Sequence, residues 1–278
     1  MKNLKELCDE ILMPGEATDR VLKKSSLFSD SEVKISMEKL FDKKTWGAGL
    51  AELKQHIGND TDGFGILACE LCCALKSFEL YEKYGISEQI YVDTMKCFSR
   101  FVGEHMESYG RYGFDREWWV PRQISGLLFR IGELEYELAE EDGGDDGESN
   151  TREKCVYLHI PSDAKLTKDK IKKSLETAKN FIAEKFPEYG AAKVMCESWL
   201  LSPTLKEVLP PSSRILGFQE YFVIKPLGID EKEFMTWVFK RSDIPVKDLP
   251  ENTSLQRNLK NYLLSGGKVA AAVGTLKV

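Results

Sequence analysis

Four side chains in one stretch of the sequence can move protons: Tyr157 and His159, then Glu197 and Ser198. A histidine, or a carboxylate held out of water, takes a proton from an ammonium or hydroxyl group near neutral pH. His159 and Glu197 are therefore the candidate bases. A phenol or a hydroxyl can give a proton to a departing group, which makes Tyr157 and Ser198 the candidate acids. The plain alternatives are a hydrogen-bonded histidine at a strand end, a solvated strand carboxylate and an ordinary strand serine. In CVYLHI, Tyr157 and His159 share one face of a strand, and Val156, Leu158 and Ile160 share the other.

These residues need a frame, and the stretch Cys155–Leu201 supplies one. A strand ends at Pro161, which has no amide hydrogen to continue a ladder. Thr167 is the predicted N-cap of a helix over KDKIKKSLETAKNFIAEKF, with Ile171, Leu175, Ala178 and Ile182 inward. AAKVMCESWLL is the next strand. Strand, loop, helix, strand is the unit that binds ligands at strand C-termini and at a helix N-terminus. Upstream, Leu134, Tyr136 and Leu138 alternate with Glu133, Glu135 and Glu137, which predicts an antiparallel strand with one wet face. With Leu127, Phe129 and Ile131 it forms a hairpin about Gly132, flanked by Arg130 and Glu133 as surface charges. The acidic, glycine-rich run 140–153 reads as a solvated loop. Downstream the pattern predicts a short helix at 203–207, a strand over SRILGFQEYFVI and helices near 230–240 (Asp230 cap) and 253–264 (Thr253 or Ser254 cap). Gly266-Gly267 ends that last helix, and KVAAAVGTLKV is the closing strand.

Residues 1 to about 112 read as helices that form a small bundle, among them 64–84 and one helix from a Ser87 cap to Tyr109. Cys69, Cys72 and Cys73 share one side of the former and read as small hydrophobes, with no fourth metal ligand nearby. His105 reads as a solvated cation near a helix end. The fold class is thus α+β, with a helical domain over 1–115 and a sheet domain over 116–278. The net charge of -6 and pI near 5.4 argue against nucleic acid and anionic membranes as partners. No apolar run is long enough to span a bilayer, the N-terminus is not a signal peptide, and seven irregularly spaced cysteines suit a cytoplasmic setting.

The segments WVPRQISGLLFRIGELEYEL, LHIPSDAKLT, CESWLLSPTLKEVLPPSSRILGFQEYF and TSLQRNLKNYLLSGGKV together resemble a bacterial family of acyltransferases. Its members join a helical N-terminal domain to a C-terminal domain of the GNAT (general N-acetyltransferase) kind. The resemblance implies acyl transfer from coenzyme A to an amine or another nucleophile of a small-molecule or peptide acceptor. It further implies that Ser162, Lys165, Leu166 and Thr167 hold the cosubstrate's pyrophosphate, and that Ile160 and Trp199 flank its pantetheine arm. PSDAKLT departs from the family pattern, because it has no glycine and carries Asp163. That departure motivates the alternative: a non-catalytic GNAT-like module that has lost its cofactor loop.

Overall fold

The computed structural model describes residues 2–142, 152–228, 231–240 and 243–277. Most of the acidic loop and the predicted cap Asp230 lie outside them. The chain divides into two compact units, Met1–Ile131 and Gly132–Val278.

The first unit is helical: α1 (Leu4–Glu10), α2 (Gly15–Leu22), α3 (Ser31–Glu38), α4 (Trp46–Ile57), α5 (Phe64–Lys83), α6 (Glu88–Met95), α7 (Cys97–Tyr109) and α8 (Pro121–Ile124), then strand β1 (Leu128–Ile131). Local chemistry sets the ends. Asn3 and Glu6 form a reciprocal capping box on α1, and Asp30 accepts from the amides of Glu32 and Val33 at the start of α3. Asp60 receives the Gly65 and Ile66 amides at 2.9 Å each, which fixes the start of α5. α5 is the core of the unit, with Phe64, Leu67, Leu71, Ala74 and Tyr81 all buried. Cys69 and Cys73 are buried there too, and burial pushes the Cys69 thiol up to about 12. Where one helix was predicted after Ser87, there are two, separated at Lys96. The Ser99 hydroxyl sits 3.0 Å from the Lys96 carbonyl and 2.6 Å from that of Ile11, the kind of back-bonding that bends a helix. His105 is not solvated: it is buried, and its Nδ1 lies 2.8 Å from the Arg111 carbonyl. Arg130 is likewise buried rather than a surface charge, and its amide donates to Thr94 Oγ1 at 2.9 Å.

The second unit is built on β2 (Leu134–Asp142), β3 (Arg152–His159), α9 (Lys168–Lys185), β4 (Lys193–Ser198), α10 (Leu205–Val208), α11 (Arg214–Gln219), β5 (Phe222–Pro226), α12 (Glu231–Phe239), α13 (Ser254–Leu264) and β6 (Ala272–Leu276). Its strands lie in the order β2-β3-β4-β6-β5. β2 and β3 are antiparallel, β3 and β4 parallel, and β6 is antiparallel to both β4 and β5. α9 lies on the face that carries Tyr136 and Leu158, where the Tyr136 hydroxyl meets Ser174 Oγ at 3.0 Å. A second apolar cluster gathers Trp199, Leu205, Phe234, Val238, Leu259 and Val269.

Two expectations fail here for identifiable reasons. SRILGFQEYFVI is not one strand: its first half is α11 and only Phe222–Pro226 is extended. Ser213 accepts from the Ile215 amide, and Gln219 donates to the carbonyls of Leu200 and Ser202 at 2.9 and 3.0 Å, so a cap and a buried anchor outweigh β-propensity. The glutamate face of β2 is not wet either: Glu135 and Glu137 are only 2% and 6% exposed. At α13 both ends follow the sequence. Thr253 and Gln256 form a capping box on α13, and Gly266 at φ +86° closes it.

Candidate active site

The parallel pairing of β3 with β4 is short. It links Cys155, Val156 and Tyr157 to Lys193, Val194 and Met195 and then stops, although β3 runs on to His159 and β4 to Ser198. Beyond that point β4 is held, among the described residues, by β6 alone, through Glu197 opposite Val273 and Ser198 opposite Ala272. The two parallel strands therefore part company just before the loop that leads into α9.

His159 and Glu197 each lie two residues past the last paired positions, so both belong to one face of the sheet, with Tyr157 and Met195. On that face His159 is half-buried, and its Nε2 lies 2.9 Å from Glu137 Oε2 on β2. The Tyr157 ring stacks alongside, 6.4 Å from the imidazole and 23° from parallel. Glu197 is exposed. Ser198 accepts from the Leu200 amide at 3.1 Å, holding a single 3-10 turn over Trp199–Leu201 and leaving its own proton to donate. Ile160 and Trp199, the residues that follow the two strands, pack into the same apolar cluster.

The loop 161–167 is compact. Ala164 donates to the Pro161 carbonyl at 3.0 Å, and Thr167 to that of Lys165 at 2.8 Å. Thr167 occupies the N-cap position of α9 as predicted, yet its hydroxyl makes no capping bond. The Lys168, Asp169 and Lys170 amides thus begin the helix without a cap from Thr167, and an uncapped helix start is where an anion is attracted. Ser162, Asp163 and Lys165 are exposed; Leu166 and Thr167 are half-buried.

Sequence reasoning passed over two residues. Glu137 was read as part of a wet face, and only the β2–β3 register brings it to His159. Glu133, read as a surface charge, is drawn in: its Oε2 accepts from the Lys165 amide at 2.7 Å, and its Oε1 is 2.5 Å from Lys170 Nζ.

Comparison with known proteins places this arrangement. The chain is similar to solved acyltransferase structures. One is in complex with decanoyl-CoA, at 22% identity and TM-score 0.78, covering 98% of this chain and 86% of that one. Another, a mutant acyltransferase in complex with octanoyl-CoA, gives 20% identity and TM-score 0.80 over 98% and 87%. A third holds CoA and 10C-teicoplanin, at 20% identity and TM-score 0.79 over 100% and 88%. At such identities the likeness establishes the fold. A search of curated proteins finds no match. The family described as the N-acyltransferase N-terminal domain matches residues 2–126, and the GNAT-like C-terminal domain matches residues 128–276, more than half of the chain. The chain belongs to this N-acyltransferase family, a helical N-terminal domain joined to a GNAT-like C-terminal domain.

Proposed function

We propose that the protein transfers an acyl group from acyl-coenzyme A to an amine or another nucleophile. The observation that carries this reading is the early end of the β3–β4 ladder directly ahead of the uncapped start of α9. Where the ladder ends, backbone groups of the two strands no longer pair with each other and can meet a pantetheine arm, and the helix start offers amides to a pyrophosphate. Lys165, Lys168 and Lys170 lie at that helix start, with Asp169 in the same turn and Lys170 paired to Glu133. A polyanion bound there would meet the helix dipole and the exposed Lys165. This favours the enzyme over a module that has lost its cofactor loop. Within this reading Ser162, Lys165, Leu166 and Thr167 border the phosphates, and Ile160 and Trp199 the arm.

His159 is the base. Glu137 orients the imidazole through its 2.9 Å contact with Nε2. His159 removes a proton from the acceptor ammonium, and the freed lone pair attacks the thioester carbonyl. The C–N bond forms as the C–S bond breaks, His159 takes the second amine proton after returning the first to solvent, and the thiolate receives a proton from Tyr157 or Ser198. Glu197, exposed on the same face, is the second proton acceptor. One of the similar structures contains decanoyl-CoA together with teicoplanin. A medium-chain acyl-CoA and a large amine acceptor are therefore the first substrates to try here. The seven unpaired cysteines fit a reducing, cytoplasmic compartment, and among the described residues no helix is long and apolar enough to cross a membrane.

The test is thioester turnover, followed as free thiol release from octanoyl-CoA across an amine panel. Activity that disappears in His159→Ala supports the reading. No calorimetric binding of acyl-CoA by the wild-type chain at millimolar ligand overturns it.

A further inference from the structure

Glycines usually let a phosphate loop turn tightly and bring its amides to the ligand. The loop 161–167 has none, so something else must hold its path. The structure supplies a tie from outside the loop. Glu133, just ahead of β2, reaches across to accept the Lys165 amide at 2.7 Å and pairs with Lys170 in the first turn of α9 at 2.5 Å. The Glu133 side chain is 17% exposed, so the tie is partly shielded from water. One carboxylate thus grips both the middle of the loop and the start of the helix. The neighbouring Gly132 allows this approach: it has φ +64°, and a Cβ placed there would lie 3.3 Å from Ser174 of α9.

We infer that Glu133 is a positioning residue for the cosubstrate phosphates, a side-chain clamp that replaces the missing glycines. This inference rests on the acyl-CoA reading above. By satisfying the Lys165 amide internally, Glu133 fixes the loop so that the amides of Lys168, Asp169 and Lys170 face outward. By pairing with Lys170, it cancels its own charge and does not repel a phosphate. Glu133 touches no reacting atom, so its effect belongs to binding of the pyrophosphate half and not to the chemical step.

The experiment compares wild type, Glu133→Ala and Glu133→Gln in the full chain, with two donors: octanoyl-CoA and S-octanoyl-pantetheine, which lacks the pyrophosphate. Glu133→Ala is expected to raise KM for octanoyl-CoA about tenfold, the loss of one charge-assisted hydrogen bond, with kcat nearly unchanged. Its KM for S-octanoyl-pantetheine stays at the wild-type value. Glu133→Gln keeps an acceptor for the Lys165 amide and binds octanoyl-CoA within about threefold of wild type. The inference is overturned by an unchanged KM in Glu133→Ala, by equal losses for both donors, or by a glutamine variant as weak as the alanine one. If wild type binds CoA normally in these assays, such results reject the clamp alone. If wild type binds no CoA, the acyltransferase reading falls first and the clamp with it. Amide hydrogen exchange over 161–170 checks the apo protein: faster exchange in Glu133→Ala supports the clamp, and unchanged exchange counts against it.

Discussion

Glu137 and His159 stand 2.9 Å apart on neighbouring antiparallel strands, carboxylate oxygen to imidazole Nε2. The pairing is diagonal: the ladder sets Glu137 opposite Tyr157 and Glu135 opposite His159. A carboxylate so placed fixes the orientation of the ring.

Glu137→Gln keeps the shape of that partner and withdraws its charge. We expect kcat to fall by roughly tenfold to hundredfold, with KM for acyl-CoA almost unchanged. Steady-state kinetics decide it. An effect confined to KM rejects the orienting role.

Glu70 makes a separate prediction about stability. It is fully buried in α5, and neither carboxylate oxygen has a hydrogen-bond partner among the described residues. Burial first, and then the charge of Glu117, push its carboxyl well above the usual range. The folded state therefore keeps a proton that the unfolded chain releases above about pH 4.3, so stability declines as pH climbs from there toward the folded pKa. Glu70→Gln removes that dependence. Its melting temperature should exceed wild type at about pH 8 and approach it near pH 4. Parallel melting curves at both values would sink the claim.

Two glycines should respond oppositely to alanine. Gly63 has φ +72°, and a Cβ there would fall 1.9 Å from the Phe114 carbonyl oxygen. Gly63→Ala should therefore yield little soluble protein. Gly103 lies inside α7 with no described neighbour within 4 Å of the same position, so Gly103→Ala should stabilise by about 0.5–1 kcal/mol in urea unfolding. A destabilised Gly103→Ala contradicts the open space.

Thiol labelling offers a fourth check. Six of the seven cysteines are buried, and only Cys72 is partly open. Burial raises the thiols of Cys8, Cys69, Cys72 and Cys73 above the ordinary value. Native protein treated with iodoacetamide should gain label slowly and first at Cys72, read by peptide mass spectrometry. Rapid labelling at several sites would show a looser helical unit.

The sequence was most legible where one local rule acted alone. The Thr253 cap of α13, the Gly266 end of that helix and the alternating apolar face of β2 all appear as read. It was least legible where a distant partner decides. Nothing near Glu137 announces that His159 will land beside it, and nothing near Glu133 announces Lys165. His105 looked like a solvated cation because the Arg111 carbonyl that receives it comes back only after the Gly110 turn. In α11, side-chain hydrogen bonds to a remote turn defeated a strand-like composition. The shared face of Tyr157 and His159 was visible as pattern, because period-two alternation fixes faces. The partners that tune them were not, because register is a property of two segments together.

β6 lies between β4 and β5, although it follows both in the chain. During synthesis the inner edge of β4 and the whole of β5 must wait for Ala272–Leu276 to emerge before either finds its neighbour. Until then the strand that carries Glu197 and Ser198 has one ladder side unmatched. The region that this protein would use for chemistry is thus also among the last to be assembled, and a ribosome-bound chain lacking those five residues should remain without function however well its helices have formed.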